Sequence, residues 1–158
     1  MKALVTGGAG FIGSWVVDYL IEEGYEVVVI DNLSTGNLDN LNKKVIFYEI
    51  DIADDKLNNI FDKERPDYVF HLAAQINVRK SIKEPIGDAK INIIGSLNLL
   101  SNCVKFKVKK IIFSSTGGAI YGDKVHIPTS ENEDKSPVSP YGIAKLTIEN
   151  YLRFFKLV

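Results

Sequence analysis

Four glycines within seven residues, in the run Thr6-Gly-Gly-Ala-Gly-Phe-Ile-Gly13, separate an apolar stretch from an amphipathic one. Lys2–Thr6 is nearly continuous in apolar residues, the pattern of a strand buried on both faces. Phe11–Glu23 sets Ile12, Val16, Tyr19 and Leu20 at helical spacing for one buried face, and Gly24 stands at its end. Gly7, Gly8, Gly10 and Gly13 satisfy both G-x-G-x-x-G and G-x-x-G-x-x-G. Alone that spacing is weak, but between a strand and a helix it describes a turn that holds a pyrophosphate at a helix N-terminus. The early glycines permit the tight turn, Gly10 lets backbone approach phosphate, and Gly13 lets the helix pack on the strand.

The same alternation runs to the end of the chain. Glu26–Ile30, Lys44–Ile50, Tyr68–Leu72 and Lys110–Ser114 read as strands. Ala53–Lys63, Asp88–Val104 and Pro137–Phe155 read as helices, the last starting near Ser139-Pro140, where a serine cap precedes a first-turn proline. Strands alternating with helices give a parallel sheet with helices on both faces, joined by right-handed crossovers. The expected fold is therefore α/β: a doubly wound parallel sheet in three α/β/α layers, with ligands at the carboxyl ends of the strands.

At 158 residues the chain fits one domain, 1–158. Its net charge of −1, with acids and bases interspersed, argues against a nucleic-acid or anionic-membrane partner. Lys105-Phe-Lys-Val-Lys-Lys110 is the one basic cluster and reads as a solvated helix end leading into a strand. The single cysteine, Cys103, excludes an internal disulfide, sits in an apolar helical run as core filler, and fits a reducing compartment. No secretory signal precedes the first strand and no apolar run approaches spanning length, so a cytoplasmic protein is expected. No cluster has metal-ligand spacing.

Two acids extend the glycine signal. Asp31 ends the second strand 18 residues after Gly13, close to the spacing at which a carboxylate meets the adenosine ribose hydroxyls. Asn32 and Leu33 follow it rather than arginine, so a 2′-phosphate would meet a negative charge without a local cation. That favours NAD over NADP. Asp51 ends the third strand, where it can accept from the adenine amino group.

A proton-transfer signal lies far downstream. Tyr141 and Lys145 stand four apart on one helix face. Tyrosine has a pKa of about 10, too high for proton exchange at neutral pH, and a neighbouring cation lowers it. The segment Phe113-Ser-Ser-Thr-Gly-Gly-Ala-Ile-Tyr-Gly122 supplies hydroxyls at a strand end, where Ser114, Ser115 or Thr116 can bond the oxygen that the tyrosine deprotonates. Tyr121 has no lysine at i+4 and reads as packing or substrate lining. His71 lies inside the fourth strand and reads as a satisfied structural histidine; His126 carries no signal.

With these motifs on the page, the chain resembles the N-terminal half of the extended short-chain dehydrogenase/reductases, and within them the UDP-glucose 4-epimerases and related nucleotide-sugar epimerases. The marks, besides the glycine run, are Asp31-Asn-Leu-Ser-Thr-Gly36, Asp51-Ile52, His71-Leu-Ala-Ala74, Asn92-Ile-Ile-Gly-Ser96, Ser114–Gly122 and Tyr141-Gly-Ile-Ala-Lys145. The resemblance implies an NAD-binding Rossmann domain with Tyr141 as acid/base and Lys145 as its pKa partner and ribose contact. It implies that Gly7, Gly10, Phe11, Ile12 and Gly13 form the phosphate turn. Asp31 and Asn32 would bind the adenosine ribose, and Asp51 and Ile52 the adenine. Leu72, Ala73, Ala74 and Ser114 would line the cofactor, with Asn92 supporting the site.

Two departures bear on the roles. An ungapped match sets Gly117 at the family's catalytic hydroxyl; one inserted glycine moves that role to Thr116. A lysine that some members carry after the Ala-Ala pair is replaced by Gln75 and Ile76, with Arg79 or Lys80 as substitutes. The acid that follows the hydroxyl in nucleotide-sugar dehydratases is missing, since Gly117 and Gly118 stand there. Family members continue into a domain that grips a nucleotide sugar, so this chain is expected to be the cofactor half of a UDP-sugar epimerase. Another nucleotide-sugar enzyme of the superfamily and a non-catalytic NAD-binding domain remain as alternatives. The Asp88–Val104 and Pro137–Phe155 helices correspond to those through which the family forms dimers, which implies a homodimer.

Overall fold

Alternate residues of the central strands part to opposite sides of one sheet, and that division builds the molecule. A computed structural model describes residues 1–123 and 126–156. Strands β1 (Lys2–Thr6), β2 (Glu26–Asp31), β3 (Ile46–Glu49), β4 (Tyr68–His71) and β5 (Lys110–Phe113) pair in parallel in the order β3-β2-β1-β4-β5. Leu4, Val28, Ile30, Val69 and Ile111 face one side, where they pack with Leu57, Phe61, Leu99, Leu100, Cys103, Ile148 and Leu152. Those partners come from α2 (Leu57–Glu64), α5 (Ser96–Lys105) and α6 (Pro140–Phe155). Ala3, Val5, Val27 and Val29 face the other side and meet Val17 and Leu20 of α1 (Phe11–Glu22). The doubly wound parallel sheet is thus as expected. Among the described residues no helix is long and apolar enough to cross a membrane.

Several elements differ from the pattern-based expectation. The buried face of α1 is Gly13, Val17 and Leu20, with Ile12 and Tyr19 turned outward at 62% and 63% exposure. Gly13 dictates this: it must lie beneath the helix, against Gly7, and that rotates the apolar face by one position. The helix after β3 begins at Leu57 rather than Ala53, because Asp51 and Asp54 accept from the amides of Ala53 (2.8 Å) and Lys56 (2.8 Å) in turns that compete with helix. The single helix expected over Asp88–Val104 is α4 (Pro85–Ala89), a π-helical stretch over Lys90–Gly95, and α5. A short helix missing from the expectation, α3 (Val78–Lys83), is capped by Asn77 Oδ1, which accepts from the Lys80 amide at 2.9 Å. The last helix starts at Pro140 with Ser139 as its cap, as read from the sequence.

The chain leaves β3 for β4 on the far side of β1, so strand order reverses between β1 and β4, and the binding crevice of such sheets opens there. One side-chain chain closes this seam. Ser96 Oγ donates to the Asn92 carbonyl at 2.8 Å, so it accepts from His71 Nε2–H at 2.9 Å. His71 Nδ1 must then accept from Thr6 Oγ1–H at 2.8 Å, and Thr6 Oγ1 accepts from the Ala73 amide at 3.2 Å. His71 is the satisfied structural histidine expected. Burial, with a smaller contribution from the Lys145 charge, pushes its pKa down to about 3.

The sign of the resulting linkage is fixed. A histidine whose folded pKa lies below its unfolded value contributes stability that is complete above about pH 6.5 and is lost as pH falls toward 3. Through this group unfolding free energy should fall by about 0.7 kcal/mol per pH unit at pH 6.5, steepening toward about 1.4 near pH 5, above the titration of most carboxylates. Urea melts at pH 7, 6 and 5 should show that slope in the native chain and a flatter one in His71→Asn, which will start from lower stability.

Candidate active site

The site is built on the ends of all five strands and the inner face of α6. At β1, Gly7 takes φ +74° and nests on β4: a Cβ there would lie 2.7 Å from the Ala73 nitrogen. A Cβ on Gly13 would lie 2.0 Å from the Gly7 carbonyl oxygen, so α1 can reach the strand only with glycine at that position. The helix opens at Gly10 with no side-chain cap and no acid in its first turn. The amides of Phe11, Ile12 and Gly13 therefore face outward with the positive end of the helix dipole, a cradle that suits a phosphate anion. Phe11 and Ile12 hold exposed side chains at its rim.

Asp31 at the end of β2 is only 8% exposed. Its Oδ2 accepts from the Ala9 amide (3.0 Å) and its Oδ1 from the Leu33 amide (2.9 Å). Each oxygen keeps a lone pair for a further donor, and the carboxylate also locks the glycine turn against β2. Asn32 Nδ2 donates to Asp51 Oδ2 at 2.7 Å, so the two residues assigned to adenosine form one unit across β2 and β3. Ile52 sends its side chain into the core against Gly95, leaving Asp51 at the rim. Leu72, Ala73 and Ala74 leave β4 half-buried, beside Gly7.

Asn92 is buried in the π-helical stretch. Its Oδ1 accepts from the Gln75 amide, and its Nδ2 donates to the Gln75 carbonyl and to Asp88 Oδ1, each at 2.9 Å. Gln75 Nε2 donates to the same Asp88 oxygen at 2.9 Å. Gln75, which stands where some family members have lysine, is thus taken up in a buried amide–carboxylate network, while Arg79 and Lys80 lie exposed on α3. Sequence reading missed Asp88, whose carboxylate sits 2% exposed behind the proton-transfer residues. Its signal was the i, i+4 spacing to Asn92.

Helix α6 begins with two hydroxyls on its first free amides: Ser139 Oγ accepts from Gly142 N at 3.2 Å, and Ser81 Oγ of α3 accepts from Tyr141 N at 3.3 Å. Pro140 has no amide to satisfy. These bonds set Tyr141 at the start of α6, where the Thr116 hydroxyl acts to lower the pKa of its phenol. Lys145 is 4% exposed; its Nζ donates to the Ser114 carbonyl at 2.7 Å, lies over the Phe113 ring at 4.6 Å, and stands 5.9 Å from the Tyr141 ring centroid. The three residues assigned to catalysis thus converge. Gly117 and Gly118, after Thr116, have open space where a side chain would stand.

Electrostatics here differ from the simple expectation of a phenol lowered by its lysine. Burial raises the Tyr141 phenol, with the Asp88 charge adding to it, and only the hydrogen bond from Thr116 opposes them. Burial likewise pulls Lys145 down to about 8, while Asp88 pulls it back up. Among the described residues no group of His, Cys, Asp or Glu gathers as a metal site. Cys103 is buried core filler, as expected, and burial pushes its thiol up to about 12.

Residues 3–156 match the family described as NAD dependent epimerase/dehydratase. A UDP-glucose 4-epimerase of Halalkalibacterium halodurans is 47% identical over 150 residues, covering 94% of this chain and 44% of that protein. One from Mycolicibacterium smegmatis is 40% identical, covering 99% and 51%. Among solved structures, UDP-glucose 4-epimerase of Thermotoga maritima with UDP-glucose superposes with a TM-score of 0.96 at 60% identity, covering 98% of this chain and 51% of its own. The Thermus thermophilus enzyme in complex with NAD gives 0.94 at 43% identity, covering 98% and 50%. The chain spans about half the length of the relatives it matches. It belongs to the NAD dependent epimerase/dehydratase family, of which it carries the strands, the glycine turn and the tyrosine–lysine helix.

Proposed function

We propose that this chain is the NAD-binding half of a UDP-glucose 4-epimerase. The observation that carries the reading is the convergence of Tyr141, Thr116 and buried Lys145 at the same carboxyl edge of the sheet that carries the glycine cradle. NAD, when bound, would accept hydride from the sugar carbon and return it to the other face. Tyr141 takes the proton of the C4 hydroxyl and gives it back, while Thr116 bonds the same oxygen. Lys145 supplies a cation beneath both and reaches for the nicotinamide ribose. Gly117 and Gly118 leave the position after Thr116 without an acid, which favours epimerisation over dehydration. The nucleotide of the substrate would be gripped by the part of such enzymes that this chain does not span.

Sequence and geometry both favour NAD over NADP, because Asp31 would face a 2′-phosphate. Calorimetry should find NAD bound at least tenfold more tightly than NADP. Gly13→Ala drives a methyl into the Gly7 carbonyl and should cost about 1–3 kcal/mol of stability along with at least a tenfold loss in NAD affinity.

Assayed in the full-length product of the gene, UDP-glucose and UDP-galactose should interconvert. Tyr141→Phe should lower kcat by about 10²–10⁴-fold and leave NAD affinity within about threefold. Unchanged turnover in that variant would remove the tyrosine mechanism.

The protein also reads as a cytoplasmic homodimer. Ile86 on α4, Ile94 beside α5, and Ile143 and Phe154 on α6 are all at least half exposed. Such a row suits a bundle of these helices with those of a second copy. Sedimentation at tens of micromolar should give a dimer, and Phe154→Glu with Ile94→Glu should give a monomer.

A further inference from the structure

The loop after β5 is anchored at its far end, where Ile120 is buried and the Ala119 carbonyl lies against Gly142 of α6, and at its near end by the residues that precede Thr116. Residues 114–123 form neither helix nor strand, and Gly117 and Gly118 meet nothing within 4 Å of an added Cβ. Thr116 is separated from that far anchor by Gly117 and Gly118, so its place depends most on the residues before it. Each of those is fastened to α6. The Ser114 carbonyl accepts from Lys145 Nζ at 2.7 Å, and Ser115 Oγ donates to Glu149 Oε1 at 2.5 Å. Thr116 follows, and its hydroxyl acts on the Tyr141 phenol, drawing its pKa down.

On the helix these partners are residues 141, 145 and 149, a single stripe at i, i+4 and i+8. Glu149 is itself pinned: its second oxygen, Oε2, accepts from Lys135 Nζ at 2.7 Å, and both side chains of the pair are about four-fifths buried. Burial alone would push its carboxyl up, but Lys135, Ser115 and Arg153 together hold it below the ordinary glutamate range. It therefore stays ionised and acceptor-only at neutral pH, which forces the Ser115 hydroxyl to donate to it.

We propose that Glu149 is a positioning residue: through Ser115 it fixes the loop after β5 so that the Thr116 hydroxyl meets Tyr141, and Lys135 holds Glu149 in place for that task. The inference rests on the reading of Tyr141 and Thr116 given above. It assigns Lys135, which lies in the loop before α6, a share in the geometry of a residue 19 positions earlier.

The test is a double-mutant cycle in the full-length protein. Ser115→Ala and Glu149→Leu should each lower kcat by about tenfold, the order expected when a reacting group drifts by a fraction of an ångström. KM and NAD affinity should stay within about twofold. Glu149→Gln keeps an acceptor for Ser115 and should retain most of the rate. In a Thr116→Val background the same changes should cost nothing further, because they act only through Thr116. Equal losses in both backgrounds, or no loss in either, would overturn the proposal. If Glu149→Leu fails to fold, Ser115→Ala decides alone.

A failure of the underlying reading looks different: Thr116→Val by itself would leave kcat unchanged. A second readout needs no turnover. With 3-fluorotyrosine in place of Tyr141, ¹⁹F titration should show the phenol pKa rise in Ser115→Ala, as the stabilising hydroxyl is withdrawn. No further rise should follow in the Thr116→Val background; a rise of equal size there would sink the idea.

Discussion

The hydroxyl of Thr6 donates to His71 across the seam between β1 and β4, and much of the site stands on that bond. These two residues are register partners at the last rung of the ladder. Beyond them the chain turns away on both sides, into the glycine cradle and into Leu72–Ala74. The same hydroxyl receives the Ala73 amide, which lies against Gly7, so cradle and lining are fixed by one oxygen. On its other side His71 passes the constraint through Ser96 to the Asn92 carbonyl in the π-helical stretch. Widening the helix there lets Asn92 turn its amide to Gln75 and Asp88 while its carbonyl still serves Ser96. A charged imidazole in this chain would have two donors and meet a hydroxyl that must itself donate to it. Neutrality of His71 is therefore part of the architecture.

Burial shapes the chemistry as much as any pair of charges does. Lys145 has been described above as the cation that tunes Tyr141, yet it is among the most buried polar groups of the chain. Burial lowers its own pKa, and the burial of Tyr141 separately raises the phenol. Asp88 restores the lysine but acts on the tyrosine in the unwanted direction. Among the described residues, Thr116 is the group that draws the Tyr141 phenol down. On the proposed reading the Thr116 hydroxyl therefore matters to proton transfer out of proportion to its size, and small errors in its placement have few compensations.

Much of this was legible in the sequence, for reasons that can be named. Apolar runs of strand length, glycines at the ends of one strand and one helix, and a serine–proline cap at α6 are local signals, and each fixed its element. Tyr141 and Lys145 could be paired because helical spacing makes i, i+4 a statement about space. The facing of α1 was not legible from hydropathy, since Ile12 and Tyr19 are as apolar as Val17; the need for Gly13 to touch Gly7 decided it. The break in the helix around Asn92 was invisible because it comes from a tertiary bond to Gln75, 17 residues away. Ser81 at the start of α6 and Ser115 on Glu149 are long-range pairings of the same kind, with separations of 60 and 34 residues. The Glu149 stripe alone could have been found, by carrying the i+4 step one turn beyond Lys145.

The two faces of the sheet differ in a way that bears on how the halves of the site cooperate. One face is covered by α2, α5 and α6, and every residue assigned to proton transfer hangs from that layer or from the strand end beside it. On the other face α1 covers β1 and β2, and Ile112 of β5 remains 41% exposed. The proposed phosphate site lies on α1 and the proposed proton-transfer site on α6, on opposite sides of the sheet, and they meet only at the carboxyl ends of β1, β4 and β5. A ligand spanning both must lie across those strand ends, with its phosphates toward Gly10 and its reactive end toward Tyr141. The seam closed by Thr6 and His71 runs midway between these points. Its rigidity therefore sets the distance between the two functions, and a change that loosens it should disturb their alignment before it disturbs either function alone.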